Sequence, residues 1–308
     1  MDEFVLFKDY SKNKKYRKSF SNLAADTFGL NFEMWFEEGY CNENYISYSY
    51  IYNEKVISNV SINKFTIIQD GEIRKVIQLG TVMTDINYRN KGLIRRLMNE
   101  VFKDYEDKVD YIYLFANKSV LDFYPKFGFN RKNETEYKIS MNDIRNKNYR
   151  KVNYKNIGYK SIASIRRLNL SLINDKLIIE RLCKDRYAVS NKLGVINDEW
   201  PLKVYCSYIF NDNLYYFQDY DIVAILERKN DEVIINDIIS KNPIDFDNIL
   251  LRLIESDDKI IKINFIPESK KFKVITREII DDDNVLFIKN CKGKARDEEM
   301  LFPVTSHT

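Results

Sequence analysis

The segment YRNKGLIRRLM, residues 88–98, places Arg89, Lys91 and the single Gly92 where the apolar run VIQLGTVMT (76–84) gives way to a helical pattern. A helix start leaves backbone N–H groups unpaired and carries partial positive charge, so such a turn suits an anion such as a phosphate. Gly92 lets backbone come close to a bulky group, and the two cations add attraction. Two common phosphate loops do not fit: the Lys precedes the Gly, and one Gly cannot supply GxGxxG. From the residues alone, the turn reads equally as an anion site or as a basic surface loop.

A further cluster lies in NFEMWFEEGYCNENY (31–45). Glu33, Glu37 and Glu38 could draw in a cationic amine, with Trp35 and Tyr40 walling a pocket. The same residues also fit an amphipathic helix that buries Trp35. Imidazole chemistry rests on one residue, because His307 is the only histidine; a His triad or His metal site is therefore set aside, and no metal is expected. Cys41, Cys183, Cys206 and Cys291 are too scattered for a CxxC pair or a disulfide framework and read as reduced thiols. The balance of 49 basic and 46 acidic residues gives no field pointing to nucleic acid or membrane. With no signal-peptide pattern in MDEFVLFKDY and no apolar run of about 18 residues, a cytoplasmic location is expected.

The elements that must position these groups alternate between strand and helix. Residues 4–10 suit a strand, 14–28 an amphipathic helix, and 32–40 another short helix. Strands are expected over 46–53, 56–69 and 73–84, the last two joined through Asp70-Gly71. Leu93, Ile94, Leu97, Met98, Val101, Phe102 and Tyr105 make a helical face over 92–105, and 111–117 is a doubly buried strand. Strand, helix, strand in this order is a βαβ crossover. A short helix over 119–129 and a strand over 134–141 complete the unit. The polar segment 145–160 reads as a linker between domains at 1–144 and 161–308. In the C-terminal half, 162–173 has a helical pattern, and YCSYIF (205–210), 214–220, 222–229 and 232–240 have strand patterns. A helix at 246–256 and a strand at 260–266 follow. The rhythm repeats after about 155 residues but without the basic turn, which suggests a duplication whose second copy is degenerate.

GTVMTDINYRNKGLIRRLM and LFANKSVLDFYPKFGF together resemble the GCN5-related N-acetyltransferase (GNAT) superfamily. The former is similar to its acyl-CoA signature, a strand followed by R-x-x-G-x-G/A opening a helix. The latter is similar to its next block, with Asn117, Tyr124, Gly128 and Phe129 at the expected spacing. The resemblance implies a mixed α+β fold, a central sheet flanked by helices, and acetyl-CoA as co-substrate. It further implies that Arg89, Asn90, Lys91, Gly92, Leu93 and Ile94 hold the pyrophosphate, and that Val82, Met83 and Thr84 pair with pantetheine. The Val82 amide would polarise the thioester carbonyl, Asn117 would contact the cofactor, and Tyr124 would protonate the departing thiolate. Glu33, Trp35 and Glu37 are the acceptor-side candidates, the acceptor being a small-molecule or peptide amine. A second copy of the chain is carried as a further partner.

Two positions depart from the family pattern. Ile94 replaces the second small residue, so its side chain must point away from the phosphates. Gln78 stands where some members carry a Glu base, so the proton must go elsewhere; the tail MLFPVTSHT, through its carboxylate or His307, is a candidate. Gln78 and Ile94 also keep open a non-catalytic alternative, an acyl-CoA-binding regulatory or scaffold protein.

Overall fold

The computed structural model of the chain describes residues 4–146, 165–292 and 299–308. From the N-terminus run β1 (Val5–Lys8), α1 (Lys14–Phe28), α2 (Glu33–Glu37), β2 (Tyr45–Tyr52), β3 (Lys55–Gln69) and β4 (Glu72–Thr84). Asn13 caps α1 by accepting from the Lys15 and Tyr16 amides, and Gly29 ends it at φ 71°. Helix α3 (Leu93–Tyr105) carries the chain to β5 (Tyr111–Ala116), which lies parallel to β4 as the crossover pattern predicts. Leu93, Leu97, Met98 and Val101 bury one stripe of α3 on Ile77, Leu79, Ile112 and Leu114 of the sheet.

There follow β6 (Asn130–Arg131), β7 (Thr135–Ser140), α4 (Met141–Asn146), β8 (Ile165–Arg167), α5 (Ile173–Cys183), β9 (Leu193–Val195) and α6 (Glu199–Val204). The chain closes with β10 (Leu214–Phe217), β11 (Ile222–Lys229), β12 (Glu232–Ile239), α7 (Phe246–Leu253), β13 (Ile260–Ile263), β14 (Ile275–Glu278) and β15 (Val285–Asn290).

These strands form two mixed sheets with one plan. The first runs β1-β2-β3-β4-β5-β15-β6, with β9 added beside β3; the second, read from its far edge, runs β8-β10-β11-β12-β13-β7-β14. In each, the one parallel pair among the described strands follows the crossover helix, β4 with β5 and β12 with β13. The expected repetition is therefore visible in the topology. Its unexpected feature is an exchange: β7 from the first half lies in the second sheet, and β15 from the second half lies in the first. Strand 134–141 thus completes the other unit, with Tyr137 and Ile139 buried in the core shared by the two sheets.

Other expectations need correction. YCSYIF is helical, because α6 runs on as a wider turn over Tyr205–Ile209; Leu202, Cys206 and Phe210, four apart, share a buried face. Within the segment expected as a helix over 162–173, Ile165–Arg167 is a strand paired with β10, and the helix starts only at Ile173. The short helix after β5 is two 3-10 turns, Lys118–Val120 and Tyr124–Phe127, since Pro125 offers no amide to continue an α-helix. Residues 147–160 of the expected linker lie outside the described residues, as do 162–164. No helix among the described residues is long and apolar enough to cross a membrane.

Candidate active site

Parallel pairing between β4 and β5 stops at Gln78 opposite Tyr113, although β4 continues to Thr84 and β5 to Ala116. The two strands part beyond that point, and β4 keeps a partner only on its β3 side. There the register slips: Asn59 faces Met83 and Ser61 faces Gly80, so Thr81 and Val82 together oppose Val60. This is a β-bulge, with Thr81 at φ 49°. A buried polar chain holds it. Asn59 Nδ2 donates to Thr81 O (2.8 Å) and Ser61 Oγ (2.9 Å), and Ser49 Oγ donates to Asn59 Oδ1 (2.8 Å). The Tyr45 hydroxyl lies 2.7 Å from Ser61 Oγ and 3.2 Å from Thr81 Oγ1. Fixed backbone beside an open edge is what an extended ligand arm and a polarised carbonyl require.

Beyond the far end of β4 lies the turn that was expected to bind an anion. Asn90 and Gly92 both take positive φ, 62° and 71°, and Gly92 is the N-cap of α3. The cap has no side-chain hydrogen bond and the first turn has no acid, so the leading amides are free of internal carboxylates. A Cβ placed on Gly92 meets nothing within 4 Å, which leaves open space over the turn. Arg89 Nε donates to Thr84 O (3.2 Å), tying the turn to the strand, while Lys91 Nζ sits 5.1 Å from the Tyr88 ring centre. Ile94, at the second small position, is partly buried and packs against the core cluster beneath α3.

The matching turn in the second half is built the other way. Asp245 caps α7 through the Asn248 amide, and Asp247 stands in its first turn. Two carboxylates there oppose any anion.

Tyr124 is buried among Phe123, Phe129 and Phe287, the last contributed by the exchanged strand β15. Burial pushes its phenol up to about 12, and its hydroxyl makes no hydrogen bond to the described residues. It is thus a protonated phenol at neutral pH, in the same cluster as Val82, Leu93 and Ile94. Asn117 Oδ1 is committed to the Ser119 amide (3.0 Å) and hydroxyl (2.6 Å), leaving its Nδ2 as the group a ligand could meet.

The opposite face of the sheet carries the segment 299–308. Phe302 stacks on Tyr113 at 4.3 Å between ring centres, and His307 stacks on Phe115 at 3.8 Å. Thr308 then reaches β4: Asn63 Nδ2 donates to its Oγ1 (2.6 Å). With the Gln78 amide oriented to suit its neighbours, its nitrogen donates to Thr308 Oγ1 (2.8 Å) and Ser306 O (3.0 Å), and its oxygen accepts from the Thr308 amide (3.2 Å). A glutamate at 78 could make neither donation. A Cβ on Gly80 would stand 3.1 Å from the main-chain oxygen of Thr308, so glycine makes room for it. His307 has its Nε2 sealed without a partner among the described residues, and burial lowers its imidazole to about 4. That disfavours the cation a base must become.

On the acceptor side, Trp35 lies in an aromatic cluster with Tyr45 (4.8 Å) and Trp200 (5.1 Å), its Nε1 buried without a partner among the described residues. Glu37 is exposed and Glu33 half-buried. A cavity of about 680 Å³ nearby is lined by Glu38 and Tyr40 of the 31–45 cluster together with Met34, and by Lys176, Ser207 and Tyr208 from the second half. Sequence reasoning missed Asn63, Gly80 and the Asn59 chain; the buried polar run S-N-x-S-x-N at 58, 59, 61 and 63 was the available signal.

Residues 11–131 match the family model described as an acetyltransferase (GNAT) domain. No curated protein matches the sequence. Among solved structures, the chain is similar to a probable N-acyltransferase from Enterococcus faecalis V583, 16% identical over 94% of this chain and 73% of that one, with a TM-score of 0.58. It is also similar to a GCN5-related N-acetyltransferase from Kribbella flavida (11% identical, 94% and 72% covered, TM-score 0.53) and to Eis1 from Mycobacterium abscessus (10%, 94% and 74%, TM-score 0.53). At these identities the likeness concerns the fold, and it spans both sheets.

Proposed function

We propose, on the premise that residues 11–131 match the family model of a GNAT acetyltransferase domain, that the protein transfers an acetyl group directly from acetyl-CoA to a primary amine. The observation that carries the reading is the coincidence, on one strand, of an open edge, a buttressed bulge and an uncapped anion turn. The amides from Arg89 to Ile94 would hold the pyrophosphate, the backbone of Val82, Met83 and Thr84 the pantetheine arm, and Asn117 Nδ2 a polar group along it. Acetyl-CoA brings the activated acyl group as its thioester.

The chain's own groups then divide the proton work. The Val82 amide donates to the carbonyl oxygen as negative charge builds there. Tyr124 gives its proton to the sulfur as the C–S bond breaks. The amine arrives from the opposite face, where Gln78, Gly80 and Thr308 line the parting strands, and loses its proton as the C–N bond forms. We assign that proton to water held by the Thr308 oxygens beside Gly80, because His307 is held neutral and Gln78 is an amide. Acceptor selection falls to the Trp35 region and to the cavity lined by Met34, Glu38 and Tyr40. The catalytic groups all come from the first half or from segments packed on it, which supports a division of labour between 1–144 and a supporting C-terminal unit.

Ile94 and Gln78, which kept the non-catalytic alternative open, have structural roles compatible with turnover: one packs, partly buried, against the core cluster and the other seats Thr308. The test is a thiol-release screen with acetyl-CoA against amines, polyamines, amino acids, aminoglycosides and peptides. Amine-dependent release that Tyr124→Phe suppresses supports the reading; silence across the panel in a protein that still binds CoA contradicts it.

A further inference from the structure

The second sheet carries its own bulge on the strand equivalent to β4. Ile225 faces Asp237 while Leu226 faces Ile235, so β12 holds one extra residue, Asn236. Where the first copy uses its bulge at the open edge, the second turns Asp237 into the interior. There, Arg186 Nη1 donates to Asp237 Oδ2 (2.8 Å) and Arg186 Nη2 donates to Asp198 Oδ2 (2.9 Å), all three side chains being fully buried. One guanidinium thus serves two buried carboxyl groups. Asp237 Oδ1 accepts from the Ile238 amide (2.7 Å), and its Oδ2 also accepts from the hydroxyl of Thr305. Thr305 belongs to the short turn Val304–Ser306, three residues before Thr308.

We propose that Arg186, Asp198 and Asp237 are positioning residues that latch the segment 302–308 onto the first sheet through Thr305, so that the degenerate half sets the register of the groups facing the acetyl-transfer strand. The latch has the directness such a role needs. Thr305 supplies a hydroxyl donor to a buried carboxyl pair that shares one guanidinium, and its departure would leave Asp237 Oδ2 with Arg186 alone among the described residues. On the other side of the turn, Gln78 holds Ser306 O and the Thr308 amide, and Asn63 holds Thr308 Oγ1. Asn63 is itself aimed by Trp200, whose Nε1 donates to Asn63 Oδ1 (3.1 Å). Trp200 lies in α6, which Asp198 precedes as N-cap. The second half therefore reaches Thr308 by two routes, one through Thr305 and one through Asn63. The placement of Thr308 beside Gly80 depends on both.

This inference rests on the acetyl-transfer reading for its catalytic consequence, but its first readout does not. Hydrogen exchange of the peptide covering 299–308 is compared in the full chain, Thr305→Val and Thr305→Ser, alongside kcat and the KM for acetyl-CoA with an amine found in the screen. Loss of a hydrogen bond to a charged group predicts exchange in Thr305→Val faster by about tenfold to a hundredfold. The same variant should lose about tenfold in kcat with KM for acetyl-CoA within about twofold, and Thr305→Ser should restore both. Unchanged exchange in Thr305→Val, or equal damage in Thr305→Ser, overturns the latch. Fast exchange with kcat unchanged leaves the latch standing and refutes the role given to Thr308 in the transfer reaction.

Discussion

Gly80→Ala is the substitution whose effect the geometry fixes most closely. The new Cβ would lie 3.1 Å from the Thr308 main-chain oxygen, 3.4 Å from its carbon and 3.5 Å from its Oγ1. Gly80 is not in the left-handed region, so alanine costs no backbone strain and the whole effect comes from that contact. Thr308 must retreat by a few tenths of an ångström. It cannot slide freely, because Asn63 (2.6 Å) and Gln78 (2.8 and 3.2 Å) hold it. The stability cost is that of weakening about one hydrogen bond, about 1 kcal/mol, which moves the melting temperature by only a few degrees in a chain of this size. Catalysis is more sensitive, since a misplacement of about 1 Å can cost about a hundredfold. In thiol-release assays kcat should fall by about tenfold, with the KM for acetyl-CoA within about twofold. Full activity in Gly80→Ala, with the melting temperature retained, would refute the role given to Thr308.

Tyr124→Phe should lower kcat by about a hundredfold or more while leaving CoA affinity within about twofold in calorimetry, because the hydroxyl acts as an acid and makes no hydrogen bond to the described residues; equal loss of both would contradict that role. The single imidazole allows an unambiguous titration by NMR. His307 should titrate near 4 when docked, against about 6.5 in an unfolded chain. Its folded-state value is the lower one, so the undocked segment binds the proton more readily. Docking is therefore unaffected above about 6.5 by this group and weakens as pH falls toward 4. A midpoint near 6.5 in the folded protein would show that the ring is not stacked on Phe115 as described.

Much of the first half was legible because local and global preferences agree there. Helix α1 has its cap, stripe and closing glycine in sequence, and the parallel crossover of β4 and β5 follows from strand, helix and strand. Arg89, Lys91 and Gly92 marked the turn before α3, although what the structure emphasises there is the absence of a capping side chain. The exchange of β7 and β15 was not legible, since alternation in TEYKIS or VLFIKN marks a buried face without saying which sheet edge receives it. YCSYIF misled for a related reason: a short apolar run serves helix or strand, and only the continuation from α6 decides. Trp35 took the bland role of a core aromatic, while Glu38 and Tyr40 from the same stretch line the neighbouring cavity. Asn63 and Gly80 gained meaning only through Thr308, more than two hundred positions distant in the chain.

The most direct test of the acetyl-CoA site is calorimetric titration of CoA into the full chain and into Gly92→Glu. Gly92 sits at φ 71° with open space above it, so a glutamate both strains the turn and sets a carboxylate where the pyrophosphate would lie. Saturable one-to-one binding to the unaltered chain, weakened by at least about a hundredfold in a folded Gly92→Glu variant, is the predicted result. Equal affinity in the two proteins would contradict the site and, with it, the acetyl-transfer reading.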